Sequence, residues 1–427
     1  MDNIKSDDKE FIANTYGRFD LELVKGEGSL VYDENGKEYI DLGTGIAVNA
    51  FGVGDKEWKK AVTEQLDNIQ HTSNLYYSIP QVKLAKMLCE RTGMKKVFFG
   101  NSGAEANECA IKVARKYSSD RYGDGRNVIV TLVNSFHGRT ITTLSATGQD
   151  VFHKSFGPFT DGFVYCPAND FEAMKKICSE NNVCGIMMEL VQGEGGVIAL
   201  DKDFVKSVEA LCREKDYCLI IDEVQTGNGR SGFLYAFMGY GIRPDIVSTA
   251  KGIAGGLPMG ACLIGEKCAD TMGVSSHGST FGGNPVCAAG ACSIISRIDD
   301  ALLEGVKKKS KLVVEKLTGF ILNDDMVPVG AGSSFDKAAY EKAVAGFKPG
   351  FWPSMKAGIK CVSGMGLMLG ILTDAPAKDV VNKCISKGVI PLTAHEKVRL
   401  LPALNIPEEL LVKGLGVIEE VCGELKA

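Results

Sequence analysis

Residues 96–117 read KVFFGNSGAEANECAIKVARKY. Lys96 to Phe99 is a short apolar run rich in β-forming side chains. Gly100-Asn101-Ser102-Gly103-Ala104 follows as a turn of small residues, and a helical stretch begins directly behind it at Glu105. The same succession of short apolar run, glycine-containing turn and helical stretch recurs down the chain. It predicts further strands from Val128 to Val133, Gly185 to Leu190, Cys218 to Ile221, Asp245 to Thr249 and Gly260 to Ile264. Helices fit between several of them, including Glu105 to Tyr117 and Asp203 to Lys215. That alternation specifies an α/β architecture with a largely parallel sheet.

Outward from this centre the pattern changes at both ends. Upstream, SLVYDENGKEYIDL (29–42) reads as two short alternating runs around Asn35-Gly36, a dipeptide that supplies positive φ for a hairpin turn. Amphipathic spacing from Trp58 to Arg91 predicts helices. Beyond Asp300 come a charged helix, an irregular stretch, a strand at Gly366 to Ile371 and further helices. The division expected is an N-terminal segment of a small domain (1–57), a large domain (58–300) and a C-terminal small domain (301–427). Residues 323–353, rich in glycine, proline and aspartate, read as an insertion forming a surface loop.

Composition bounds the function. The 427 residues are 45% hydrophobic, enough for more than one core. Formal charge is 48 − 53 = −5, spread without blocks, so neither nucleic acid nor an anionic membrane is an expected partner. The longest charge-free apolar stretches, such as Ile253 to Gly265, are too short to span a bilayer. The start, MDNIKSDDKEF, lacks the basic and apolar regions of a secretory signal, so a cytosolic protein is expected. Fourteen cysteines are scattered from Cys89 to Cys422 with no CxxC and no adjacent histidine cluster. They read as small buried apolar residues, and no metal site is expected. The 50 glycines lie in separate clusters without a three-residue period, which excludes collagen and points to tight backbone turns.

In an open α/β sheet, ligands bind beyond the carboxyl ends of the strands, so the residues following each strand are the candidates. After the first strand, Ser102, Gly103 and Ala104 place a hydroxyl and free amides at a helix N-terminus, which favours an anion such as phosphate. After the second come Phe136, His137 and Arg139; after the third, Gln192 and Glu194. Asp222 and Gln225 follow the fourth, and Lys251 the fifth. Singly, each reads as a cap, a loop residue or a solvated charge. Together they describe one site with an anion pocket, an aromatic ring, an acid and a lysine. Gly227-Asn228-Gly229-Arg230-Ser231-Gly232 matches the GxGxxG fingerprint, but no helical pattern starts at its third glycine, which argues against a nicotinamide site.

The segments NSGAEANECAIK, FHGRT, QGEGG, DEVQTGNGRSG, STAKGIAGGLPMG and STFGGNP, in this order, resemble the class III aminotransferases, fold type I enzymes that use pyridoxal 5′-phosphate. The resemblance resumes at GMGLMLGI and VRLLPAL and so covers most of the chain. NTYGRFDLELVKGEGSLVYDENGKEYIDL, GIAVNA and HTSNLYY further resemble the acetylornithine aminotransferase branch. The resemblance implies a large domain with a mainly parallel seven-stranded sheet between helices, a smaller α+β domain, and a homodimer with shared active sites.

It also implies roles. Lys251 would form the Schiff base with the cofactor aldehyde and then move the proton between substrate and cofactor carbons. Asp222 would pair with the pyridine nitrogen, Gln225 with the ring oxygen, and Phe136 would stack on the ring, with His137 beside it among the cofactor-binding residues. Ser102, Gly103 and Ala104 would hold the phosphate, joined by Thr280 from the neighbouring subunit. Arg139 would grip the distal carboxylate of glutamate and Arg399 its α-carboxylate, with Glu194 pairing Arg399 and moving aside for glutamate. The implied reaction moves the terminal amine of N2-acetylornithine to 2-oxoglutarate, as in arginine biosynthesis, with ornithine, succinylornithine or 4-aminobutyrate as other donors. The sequence departs from the family at Phe51 to Glu57, where many relatives have a Gly-His-x-His-Pro segment near the substrate entrance.

Overall fold

A computed structural model describes residues 4–426. Seven strands form its largest sheet: β1 (Lys96–Gly100), β2 (Val128–Leu132), β3 (Phe163–Cys166), β4 (Val183–Met188), β5 (Cys218–Asp222), β6 (Ile246–Thr249) and β7 (Gly260–Ile264). Their order is β1-β7-β6-β5-β4-β2-β3, and only β7 runs antiparallel to its neighbours. The central strands β4 to β7 are buried along their whole length, as expected where helices cover both faces.

Successive side chains on a strand serve opposite cores. Ile129, Ile220, Ile246 and Cys262 pack with Cys109, Ala110 and Val113 of helix Gly103–Tyr122. Val130, Leu219, Val247 and Leu263 face the other way, into the core shared with Val205 and Val208 of helix Lys202–Lys215 and with Leu84 and Leu88 of helix Ile79–Thr92. Ser102 starts helix Gly103–Tyr122 by accepting from the amide of Glu105, and Gly123, at φ +77°, ends it.

Among the described residues the remaining chain builds four smaller sheets, two of them two-stranded ribbons: Phe320–Leu322 with Pro328–Ala331, and Val191–Gln192 with Ile198–Ala199. Strands Leu23–Glu27, Leu30–Asp33 and Glu38–Asp41 form an antiparallel unit, and Val389–Ile390 pairs in parallel with Glu38–Asp41. Gly36, at φ +80°, makes the hairpin turn, while the carboxylate of Asp33 accepts from the amides of Asn35 and Lys37. A five-stranded antiparallel sheet contains Phe351–Pro353, Ile359–Met365, Met368–Thr373, Lys397–Leu400 and Leu392–Ala394. Helices Asp300–Thr318, Ala377–Ser386 and Glu408–Glu424 share its core through Val313, Val380 and Leu415.

Several expectations shift. The edge strand β3 has only four residues, between Gly162 and Pro167, too short for its pattern to stand out in sequence. The strand expected at Gly366 to Ile371 begins at Met368, because Gly366 and Leu367 make the turn out of Ile359–Met365. Residues 323–353 are not a surface loop. They contain strand Pro328–Ala331, helix Lys337–Ala345 and strand Phe351–Pro353, and Trp352 is buried with its indole N–H donating to the carbonyl of Met326. All fourteen cysteines are free, and all but Cys89 and Cys287 are buried. The opening segment expected to lack a secretory signal begins in Met1–Asn3, outside the described residues, and continues as helix Ile4–Phe11. Among the described residues no helix is long and apolar enough to cross a membrane, and no cluster of potential metal ligands occurs.

Candidate active site

The parallel strands deliver their candidates to one edge of the sheet. Asp222 is the last residue of β5 and is almost fully buried. Its Oδ2 accepts from Asn107 Nδ2 and from His137 Nδ1, both at 2.8 Å, and its Oδ1 accepts from the amide of Val224 at 2.9 Å. Three donors fix the carboxylate in one orientation. His137 thus meets the site through Asp222, with its ring fully enclosed and its Nε2 without a partner.

Lys251 follows β6 in the left-handed region, φ +48°, a conformation that costs energy for a residue with a side chain and that clusters at functional sites. Removal from water holds its pKa below that of an ordinary lysine. The nearby carboxylates of Glu194, Asp222 and Glu189 oppose the shift, and the Arg399 guanidinium adds to it. A lysine tuned this way offers more free amine at neutral pH, as a nucleophile or a base must.

The candidate anion pocket lies at the start of helix Gly103–Tyr122. Ser102 Oγ accepts from the Glu105 amide at 3.2 Å, which leaves the amides of Gly103 and Ala104 as the first turn's free donors. Gly103 admits no side chain, since a Cβ there would lie 2.7 Å from Val224 Cγ1. Val224 thereby joins the Ser102 turn to the end of the strand carrying Asp222. Asn101 Nδ2 donates to Ser279 Oγ at 3.1 Å, tying the loop that carries Thr280 to the same turn; Thr280 itself is exposed.

Arg399, on strand Lys397–Leu400, is 3% exposed. Its Nη1 donates to Glu194 Oε1 at 2.5 Å and to Gln225 Oε1 at 3.2 Å, while its buried Nε has no partner. Burial pushes the Glu194 carboxyl up, but the arginine outweighs it and holds Glu194 below its usual range. Arg139 is exposed, its guanidinium 4.0 Å from the ring centre of Phe152 and 5.4 Å from that of Phe136. Gly138 between them, at φ +143°, has no room for a Cβ beside Thr143 Oγ1.

Three participants escape sequence reasoning: Asn107, Val224 and Glu189. Glu189 gave a signal, an acid inside the apolar run GIMMEL, but its partners lie elsewhere in the chain. Its Oε1 accepts from the Phe136 amide at 2.8 Å and its Oε2 from the Gly193 amide at 3.0 Å. Residues 227–232, the GxGxxG match, form turns rather than a helix start, and the buried Arg230 spends its Nη1 on the carbonyls of Leu367 and Pro402.

A lysine held below its ordinary pKa, a clamped carboxylate, free helix-start amides and a buried arginine paired with a carboxylate therefore stand at the strand ends. The sequence model of the family described as Aminotransferase class-III matches residues 11–328, and the chain belongs to that family. It is 45% identical to the acetylornithine aminotransferase of Haemophilus ducreyi, over 99% of both chains. It is 38% identical to the succinylornithine transaminase of Citrobacter koseri, over 98% of this chain and 96% of that one. Solved relatives include N-acetylornithine aminotransferase from Stenotrophomonas maltophilia K279a, with TM-score 0.75, 30% identity and 97% of each chain covered. Ornithine aminotransferase from Toxoplasma gondii ME49 has TM-score 0.85 at 26% identity, covering 98% of this chain and 94% of that one.

Proposed function

We propose that this protein uses pyridoxal 5′-phosphate to move the terminal amine of N2-acetylornithine to 2-oxoglutarate, giving N-acetylglutamate semialdehyde and glutamate. The observation that carries this reading is the Arg399–Glu194 ion pair within the electrostatic reach of Lys251. When bound, the cofactor supplies an aldehyde that captures amines and a ring that withdraws electrons from the reacting carbon. The residues present fit it: the lysine amine, the clamped Asp222 and the two free amides beside Ser102 match its aldehyde, ring nitrogen and phosphate.

Lys251 would hold the cofactor and carry the proton between the reacting carbons. Asp222, fixed by Asn107, His137 and the Val224 amide, keeps a proton on the ring nitrogen. Phe136 would stack on the ring, Gln225 would bond the ring oxygen, and Ser102, Gly103 and Ala104 would bind the phosphate. Arg139 takes the distal carboxylate of glutamate and Arg399 its α-carboxylate. With a terminal-amine donor in place, Glu194 neutralises Arg399; with glutamate, it moves aside.

The active form in this reading is a cytosolic homodimer in which Thr280 reaches the partner's phosphate site. Leu75, Tyr77 and Ile79 are at least 85% exposed. Their segment lies against the Thr280 loop, because Asn74 Nδ2 donates to the carbonyls of Ser279 and Gly282. An apolar patch of this kind suits a subunit interface. The division at residues 57 and 300 belongs to the same proposal. The deciding experiment is a rate panel of acetylornithine, ornithine, succinylornithine and 4-aminobutyrate against 2-oxoglutarate, in which acetylornithine is expected to lead. A lead for any other donor replaces the substrate assignment.

A further inference from the structure

Glu189 is 6% exposed, and its hydrogen-bond partners are two backbone amides from different segments. One belongs to Phe136, which presents the aromatic ring; the other belongs to Gly193, immediately before Glu194. Gly193 is also wedged from its other side, since a Cβ there would lie 2.5 Å from Gln225 Nε2. The root of the Glu194 loop is therefore clamped between the Glu189 carboxylate and the Gln225 amide. Past it, Gly195 is packed against the Asn134 carbonyl, and the backbone freedom falls to Gly196, at φ +103°, where a Cβ would meet nothing within 4 Å. The groups facing Glu189 electrostatically are His137 and Asp222, and Lys251 feels its charge in turn; none of these does the proposed chemistry assign to moving Glu194.

We propose that Glu189 is a positioning residue: it locks the base of the Glu194 gate in register with Phe136, so that Glu194 returns to Arg399 whenever no α-carboxylate occupies it. This rests on the function proposed above. A glutamine at 189 keeps the size but can accept through one oxygen only, and sets an N–H against one of the two amides.

The test is a double-substitution cycle of Glu189→Gln and Glu194→Gln, with Glu189→Ala as a second probe of the same position. It reads the ratio of half-reaction efficiencies for acetylornithine over glutamate from the cofactor absorbance. Each single substitution should lower the ratio, by about fivefold or more for Glu189→Gln, and the double variant should match Glu194→Gln alone within about twofold. Ratios that multiply independently would overturn the proposal. A second arm follows amide hydrogen exchange without substrate. Glu189→Gln should speed exchange at 193–196 and at Phe136 by about tenfold and leave helix Lys202–Lys215 unchanged. Unchanged exchange at 193–196 would also overturn it. Wild-type protein inert toward every amine removes the function, and the exchange arm then still judges the bridge.

Discussion

Arg399 and Glu194 lie 205 residues apart in sequence and form a 2.5 Å ion pair, and the same guanidinium keeps a buried Nε without a partner. In the proposed function, an arginine with an uncommitted N–H exchanges this carboxylate for that of the substrate. Arg399→Ala should reduce kcat/KM for glutamate by about 10²-fold or more, from the loss of a buried charge-assisted contact. The terminal-amine half-reaction should fall much less. Steady-state kinetics with both amines check the split, and normal glutamate use by the variant would remove the assigned role.

Lys251→Ala removes both the covalent hold and the proton carrier. Turnover should drop by about 10⁴-fold or more, while cofactor held through Asp222 and the Ser102 turn remains in weaker, dialysable form. Absorbance before and after dialysis, beside single-turnover rates, tests this.

Asn107 Nδ2 serves Asp222 Oδ2 and the carbonyl of His137 at once. Asn107→Leu should leave both buried acceptors short of a donor and cost about 1–3 kcal/mol of stability, with weaker cofactor affinity. Asn107→Asp should be worse, because it sets a second acid against Asp222. Thermal melts and cofactor titration measure the two effects.

Glu223 is fully buried beside Asp222 and accepts from the Thr226 hydroxyl and the Phe237 amide. Burial pushes its carboxyl up to about 7 from the ordinary 4.5, against the pull of those donors. The folded state therefore binds this proton more tightly than the unfolded state. Its stabilising contribution is complete below pH 4.5 and is lost as pH rises through about 7, a change of about 3 kcal/mol. Glu223→Gln should flatten that part of the stability profile, as followed by denaturant unfolding from pH 5 to pH 8.

Tyr77 is completely exposed between Leu75 and Ile79. If this patch is the subunit interface, Leu75→Arg with Tyr77→Asp should convert the dimer to monomer and reduce activity by more than about tenfold through loss of Thr280 from the opposite site. Sedimentation velocity reads the mass directly, and a dimer that survives both changes places the interface elsewhere.

The central sheet is readable because its inner strands are buried on both faces and write their burial as short apolar runs, such as VIVTL and CLIID. Lys251, Asp222 and the Ser102 turn were readable because each follows such a run directly. The strand FVYC and the folded segment at 323–353 were not, since short edge strands and small helices carry little pattern of their own.

The amino-acid sequence by itself determined where the backbone turns at the strand ends and which chemical groups stand at those turns. Tertiary structure alone decided how they are joined. Glu189 bridges Phe136 and Gly193, Asn107 reaches across 115 residues to Asp222, and Val389 completes a sheet begun at Leu23. Periodicity records only how each residue divides between core and water. A hydrogen bond requires two atoms within about 3 Å, and that proximity exists only once separate segments have packed together.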